Sequence, residues 1–195
     1  MQQVASAGLS FASAETVSST SGELADFDHL VEMYWPKVFR FALASLHDAD
    51  LAGTIAQDCL LHAHRGAAGF RGASSVGTWI MRIAVNLIRD HARSRRLQFW
   101  KRTRECATDW DDVNRRISDG SATPERRAIA RDQVRAIWDA TVRLPHRQRT
   151  VFLLRFVEEM DLAEIALATG LREGTVKAHL FRALETVRKQ VREVR

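Results

Sequence analysis

The chain has 195 residues, of which 46% are hydrophobic and 27% charged, and a formal net charge of +5. That is enough apolar material for one or two small cores. Only 3 prolines and 10 glycines interrupt a sequence rich in Ala, Leu and Arg, so an all-α fold is expected. No Lys or Arg precedes Lys37 and no apolar run approaches the length of a membrane span, which argues against a secretory signal, a transit peptide and membrane insertion. Cys59 and Cys106 fit no metal-ligand spacing and read as free thiols of a reducing cytoplasm, with neither metal nor cofactor expected.

Charge is segregated along the chain. Residues 1–70 carry net −5, 71–104 carry +8, 105–125 carry −4 and 126–195 carry +6. A single basic run is usually a solvated helix face. Two basic blocks around an acidic spacer, each joined to a helical pattern, point to a polyanion such as DNA.

Residues 1–25, rich in Ser, Ala and Thr without apolar periodicity, read as a disordered leader. From Phe27 the apolar positions Leu30, Val31, Tyr34, Val38, Phe41 and Ala42 follow the 3.6-residue repeat of an amphipathic helix, which Asp26 or Asp28 caps and Pro36 kinks or breaks. After a turn at His47–Asp50, Leu51, Ile55, Leu60 and Leu61 mark a second helix that ends in a loop containing Gly66, Gly69 and Gly72. A third helix runs through Trp79, Ile80, Ile83, Ala84, Leu87 and Ile88 into the basic tail Arg93–Arg96. These three form one small bundle over 26–100. Residues 101–125 lose the periodicity and read as a flexible acidic linker. A second helical domain over 126–195 follows: a helix on Ile129, Val134, Ile137 and Trp138, the break Leu144–Pro145, a helix through Val151–Phe156, and two more at about 162–169 and 173–192.

Residues 162–187 have helix-turn-helix grammar. Ile165 and the small Ala166 face inward, Gly170 supplies the positive φ of a tight turn, and Leu171, Val176 and Leu180 lock the second helix on the first. That leaves Arg172, Thr175, Lys177, His179 and Arg182 on the outer face, which suits a major groove. Phe181 reads equally as core or as a thymine-methyl contact. The bland alternative for the motif is a helical hairpin that merely packs.

Here the chain resembles the extracytoplasmic-function sigma factors, compact members of the sigma-70 family with regions 2 and 4 only. The resemblance covers 26–100 and 126–192 and is carried by Phe70-Arg71-Gly72, Gly77-Thr78-Trp79, Arg82-Ile83-Ala84-Val85-Asn86, Leu144-Pro145, Gly174-Thr175-Val176-Lys177 and Phe181-Arg182-Ala183. It implies that the protein binds core RNA polymerase, that residues 70–96 read and melt the minus-10 element of promoter DNA, and that the second helix of the C-terminal motif reads the minus-35 element. Melting a duplex needs aromatic or amide partners for extruded bases beside a cationic track for the backbone. Phe70, Trp79 and Asn86 fit the first need, and Arg71, Arg82, Arg89, Arg93, Arg95 and Arg96 the second. An indole on an apolar helix face is also often simply core, which is the competing reading of Trp79.

In one place the chain departs from the family. The second helix of these sigma factors carries an acidic cluster, Asp-Ala-Glu-Asp before a hydrophobic pair and Gln-Glu, that pairs with basic residues of polymerase. Here the segment is Leu51-Ala52-Gly53-Thr54 followed by Ile55-Ala56-Gln57-Asp58. Asp50, Gln57 and Asp58 remain as docking residues, and Thr54 stands where an acid is lost. Thr54 is either a drifted, solvated residue or a phosphorylation site, since phosphothreonine brings about −1.5 to −2 charges. The second reading resembles the sigma factors switched on by a Ser/Thr kinase; an anti-sigma factor is the alternative control. No enzyme signature is present: His62 and His64 lie two apart on a helix, and no phosphate loop or nucleophile elbow occurs. The rival functional class is a stand-alone helix-turn-helix regulator, which binds palindromic DNA as a dimer.

Overall fold

A computed structural model describes residues 26–99 and 134–193, with side chains to Ser94 and to Arg192. The expected leader and linker lie outside the described residues. Helix α1, Phe27–Leu46, starts at Asp26, whose side chain accepts from the Asp28 and His29 amides at 3.1 and 3.3 Å. It continues through Pro36 as one helix, the proline sitting on an exposed position. Its end is set by His47 in the left-handed region at φ 57°, where the amide still bonds the Leu43 carbonyl. Asp48 then caps α2, Ala49–Gly66, through the Leu51 amide at 3.0 Å. A 3₁₀ turn at Ala67–Gly69 and Gly72 at φ 69° lead to α3, Val76–Phe99.

Helices α1 to α3 form the first bundle around Leu30, Val38 and Phe41, Ile55 and Leu60, and Ile80, Ala84 and Ile88, all buried. Ala42, Ala52, Ala56 and Ala63 are fully buried as well, and residues this small let helix backbones approach closely. Cys59 lies inside, its thiol donating weakly to the Ile80 carbonyl at 3.5 Å. Burial pushes that thiol up to about 12, so it is an inert apolar filler.

The second unit consists of α4, whose described part is 134–142, then α5, His146–Phe156, α6, Leu162–Thr169, and α7, Glu173–Glu193. Its core is Leu144, Val151, Leu153, Leu154, Ile165, Val176 and Ala183. Phe156 and Ile137, expected on the apolar faces, are instead both exposed. The core side of α5 is already filled by Val151 to Leu154, and Phe156 rests its ring on Phe152 at 4.7 Å. No strand occurs among the described residues. The two units pack on each other, α1 against α5 and α3 against α6.

Candidate nucleic-acid interface

Helices α6 and α7 form the helix-turn-helix. Asp161 opens α6 with a capping box, its carboxylate accepting from the Glu164 amide at 2.7 Å while Glu164 accepts from the Asp161 amide at 3.0 Å. Two orphan donors are satisfied reciprocally, which fixes the direction in which α6 enters. Gly170 ends α6 at φ 70°, and its amide and that of Leu171 both reach the Ala166 carbonyl. A Cβ there would meet no atom; the constraint is the backbone conformation alone.

Val176, Ala183 and Val187 point α7 inward, with Leu180 and Leu184 half-buried beside them. Ile165 is fully buried, whereas Ala166 is only half-buried. Arg172, Thr175, Lys177 and Arg182 are exposed and His179 is half-exposed. Phe181 is 68% exposed, which excludes the core reading. Desolvation, then Arg182, then Arg147 lower the His179 imidazole below its usual range. These causes favour the uncharged imidazole.

On α3, Arg82, Arg89 and Arg93 are exposed, as is Arg71 in the preceding loop. Arg95 and Arg96 lie where side chains are not described. Asn86 is half-buried, its carbonyl oxygen accepting from Arg89 at 2.8 Å. Trp79 is half-buried. Phe70 does not present its ring: it is 8% exposed and tilts against Trp79 at 5.2 Å, closing the loop over the bundle. Of the two rings the indole is the more exposed, though it too packs against the core. On α2, Asp50, Thr54, Gln57 and Asp58 are all exposed and, at spacings of four, seven and eight, share one face. The Thr54 hydroxyl donates to the Asp50 carbonyl at 3.0 Å.

Residues 30–98 match the family Sigma-70 region 2, and residues 135–187 match Sigma-70, region 4. RNA polymerase sigma-H factor of Pseudomonas aeruginosa is 34% identical over 171 residues, covering 86% of this chain and 87% of that protein. ECF RNA polymerase sigma factor SigW of Bacillus subtilis is 27% identical, covering 89% and 92%. The chain belongs to the extracytoplasmic-function sigma factors of the sigma-70 family.

The fold of this sigma factor is shared with sigma factor RpoE of Bartonella quintana, solved in complex with the anti-sigma factor NepR. The TM-score is 0.66 at 18% identity, over 87% of this chain and 99% of that one. Region 2 is accordingly the α1–α3 bundle and region 4 is α4–α7. The sequence reasoning missed the polar contacts between the two regions. Arg40 on α1 grips Glu158, just beyond α5, with two hydrogen bonds of 3.0 and 2.9 Å. Thr78 on α3 donates to Glu164 at 3.1 Å. Arg149 on α5 donates to the Ser45 carbonyl at 3.3 Å, and also to Thr141, Val142 and Leu144 carbonyls at the end of α4. Only the capping-box spacing of Asp161 and Glu164 is a sequence signal among these.

Proposed function

We propose that the protein is the promoter-recognition subunit of RNA polymerase, joining the core enzyme through α2 and directing it to promoters through α3 and α7. The observation that carries this reading is the occurrence of both sigma regions, in order, with a cationic outer face on the second helix of the helix-turn-helix. Arg172, Thr175, Lys177, His179, Phe181 and Arg182 read the minus-35 element, with arginine or lysine on guanine edges and Phe181 against a thymine methyl. Arg71, Trp79, Arg82, Asn86, Arg89, Arg93 and Arg96 serve the minus-10 element, with Phe70 reaching a base only if the loop opens. Chemistry belongs to the polymerase, and the chain contributes no catalytic residue. Size-exclusion chromatography separates this from the dimeric-regulator reading: the sigma factor runs as a monomer alone and co-migrates with core polymerase. A stable dimer that ignores the polymerase contradicts it.

Asp50, Thr54, Gln57 and Asp58 form the polymerase-docking face, and Thr54 is its phosphorylation site. Thr54 is exposed on that strip where the family has an acid, so a phosphate there restores charge at the position that lost it and offers three acceptor oxygens to an Arg cluster. A Ser/Thr kinase is then the activating partner, in place of an anti-sigma factor. The test compares polymerase binding by unmodified protein, kinase-treated protein and kinase-treated Thr54→Ala. Weak, strong and weak binding is expected; tight binding by the unmodified protein, or full activation of Thr54→Ala, refutes the switch.

A further inference from the structure

Asn86 and Arg89 are three residues apart on α3 and so share one face of the helix. The same turn is anchored on the core side by Val85 and Ile88, which are 6% and 2% exposed. Asn86 is half-buried and Arg89 is exposed. The Arg89 Nη2 donates to the Asn86 Oδ1 at 2.8 Å. The same guanidinium lies 3.9 Å from Asp90 through Nε, with side chains 50% and 64% exposed. An exposed pair of that length contributes little, so Asp90 does not draw Arg89 off the amide. Arg82 and Arg93, both exposed, continue the strip one turn away on either side.

The chemistry of the two groups fixes which way the amide points. The oxygen and nitrogen ends of an asparagine are nearly alike in size, so a lone amide turns over to suit a donor or an acceptor. A guanidinium carries five N–H donors and no acceptor. The end facing Arg89 is therefore the carbonyl oxygen. Turning the amide over would set donor against donor and forfeit a charge-assisted hydrogen bond, a penalty that grows as nucleic acid excludes water from the site. Nδ2 thus presents its protons away from Arg89, and among the described residues none accepts them. The strip offers an incoming base donors only: the Nδ2 protons and the N–H groups of the arginines.

We infer that Arg89 is a positioning residue for base choice: by holding the Asn86 carbonyl it makes Asn86 a donor-only reader, which selects a base with two adjacent acceptors and rejects adenine. The inference rests on the assignment of Asn86 to the minus-10 element. An unrestrained asparagine pairs bidentately with adenine, its carbonyl taking an N6 proton while its amino group meets N7. With that carbonyl occupied, the adenine N6 amino group faces donors alone. Guanine offers O6 beside N7, and a cytosine taken out of the stack offers N3 beside O2. Both suit the strip. Loss of the bidentate adenine pair corresponds to roughly tenfold or more in discrimination.

The experiment uses the full chain, unmodified and kinase-treated, with core polymerase from the native cell. Transcripts from DNA randomised through the minus-35 and minus-10 elements are sequenced to give the base preference at each position. Asn86→Ala locates the position that Asn86 reads. There the wild type is expected to favour guanine or cytosine over adenine by roughly tenfold or more. Arg89→Met is expected to erase most of that ratio at that position alone, because the freed amide can turn over to meet adenine. Arg89→Lys, which still donates to the carbonyl, should keep most of it. An Arg89→Met variant that weakens all sequences equally has lost only a phosphate contact and overturns the inference. Wild-type preference for adenine at that position overturns it too, as does a lysine variant that behaves like the methionine one. If Asn86→Ala matches wild type at every position, the inference falls while chain-dependent transcripts leave the sigma-factor reading standing. Transcripts that never depend on the chain overturn the sigma-factor reading and the inference together.

Discussion

Lys177 and Arg182 lie on the exposed side of a helix whose other side is committed to the core by Val176 and Ala183. Neither has an acidic partner among the described ion pairs. Arg182→Ala and Lys177→Ala should each cost about 1 to 3 kcal/mol of promoter-specific binding if the side chain meets a base edge, with little loss of fold. Binding titrations on promoter and scrambled DNA check this; equal losses on both restrict the residue to phosphate contact. A second residue-scale prediction concerns His47, in the joint between α1 and α2. Burial, then the Arg149 guanidinium, lower its imidazole from 6.5 to about 4. The folded chain thus binds this proton less well than the unfolded chain does. The resulting stability is fully present above pH 6.5 and is lost as the pH falls towards about 4. His146 acts in the same direction, while Glu158, raised by burial despite Arg40, acts in the opposite one. His47→Asn, which suits the left-handed backbone, should make the loss of stability between pH 7 and pH 5 shallower in denaturant titrations. An unchanged slope contradicts the assignment.

At the scale of the element, the helix-turn-helix was the most legible part of the chain. Gly170 after the apolar pattern of 162–169 announced the turn, and the observed helices Leu162–Thr169 and Glu173–Glu193 match the expected spans closely. Periodicity also gave α1, α2 and α3, because each has one strong apolar stripe against its neighbours. Pro36 does not break α1, which continues through it as one helix with the proline at an exposed position. The orientation of single aromatics was not legible either. Phe70 and Phe181 look alike in sequence, yet one closes a loop on Trp79 and the other faces outward. The difference is set by neighbours distant in the chain. Gly170→Ala isolates the turn: nothing obstructs the new methyl, so the cost is that of a left-handed alanine, about 1 to 2 kcal/mol. Gly170→Asn should cost less. Thermal melting of both variants checks this order, and equal melting points for Gly170→Ala and wild type would contradict the role given to the backbone.

The whole molecule is where local pattern carried least. Nothing in the neighbourhood of Arg40 or Thr78 announces a carboxylate 118 or 86 residues away. Both pairs exist only because α1 meets α5 and α3 meets α6. What the whole chain did reveal was its charge pattern, a basic block in each of the two regions, and that pattern underlies the functional reading. The central claim, that the chain confers promoter specificity on RNA polymerase, is tested most directly by run-off transcription with purified core polymerase from the native cell. Reactions contain core alone, core with the chain, and core with Arg182→Ala, using kinase-treated protein alongside unmodified protein. The account predicts discrete transcripts from specific promoters only when the chain is added, weakened by Arg182→Ala. Transcripts from core alone that the chain does not redirect, with either form of the protein, would contradict it.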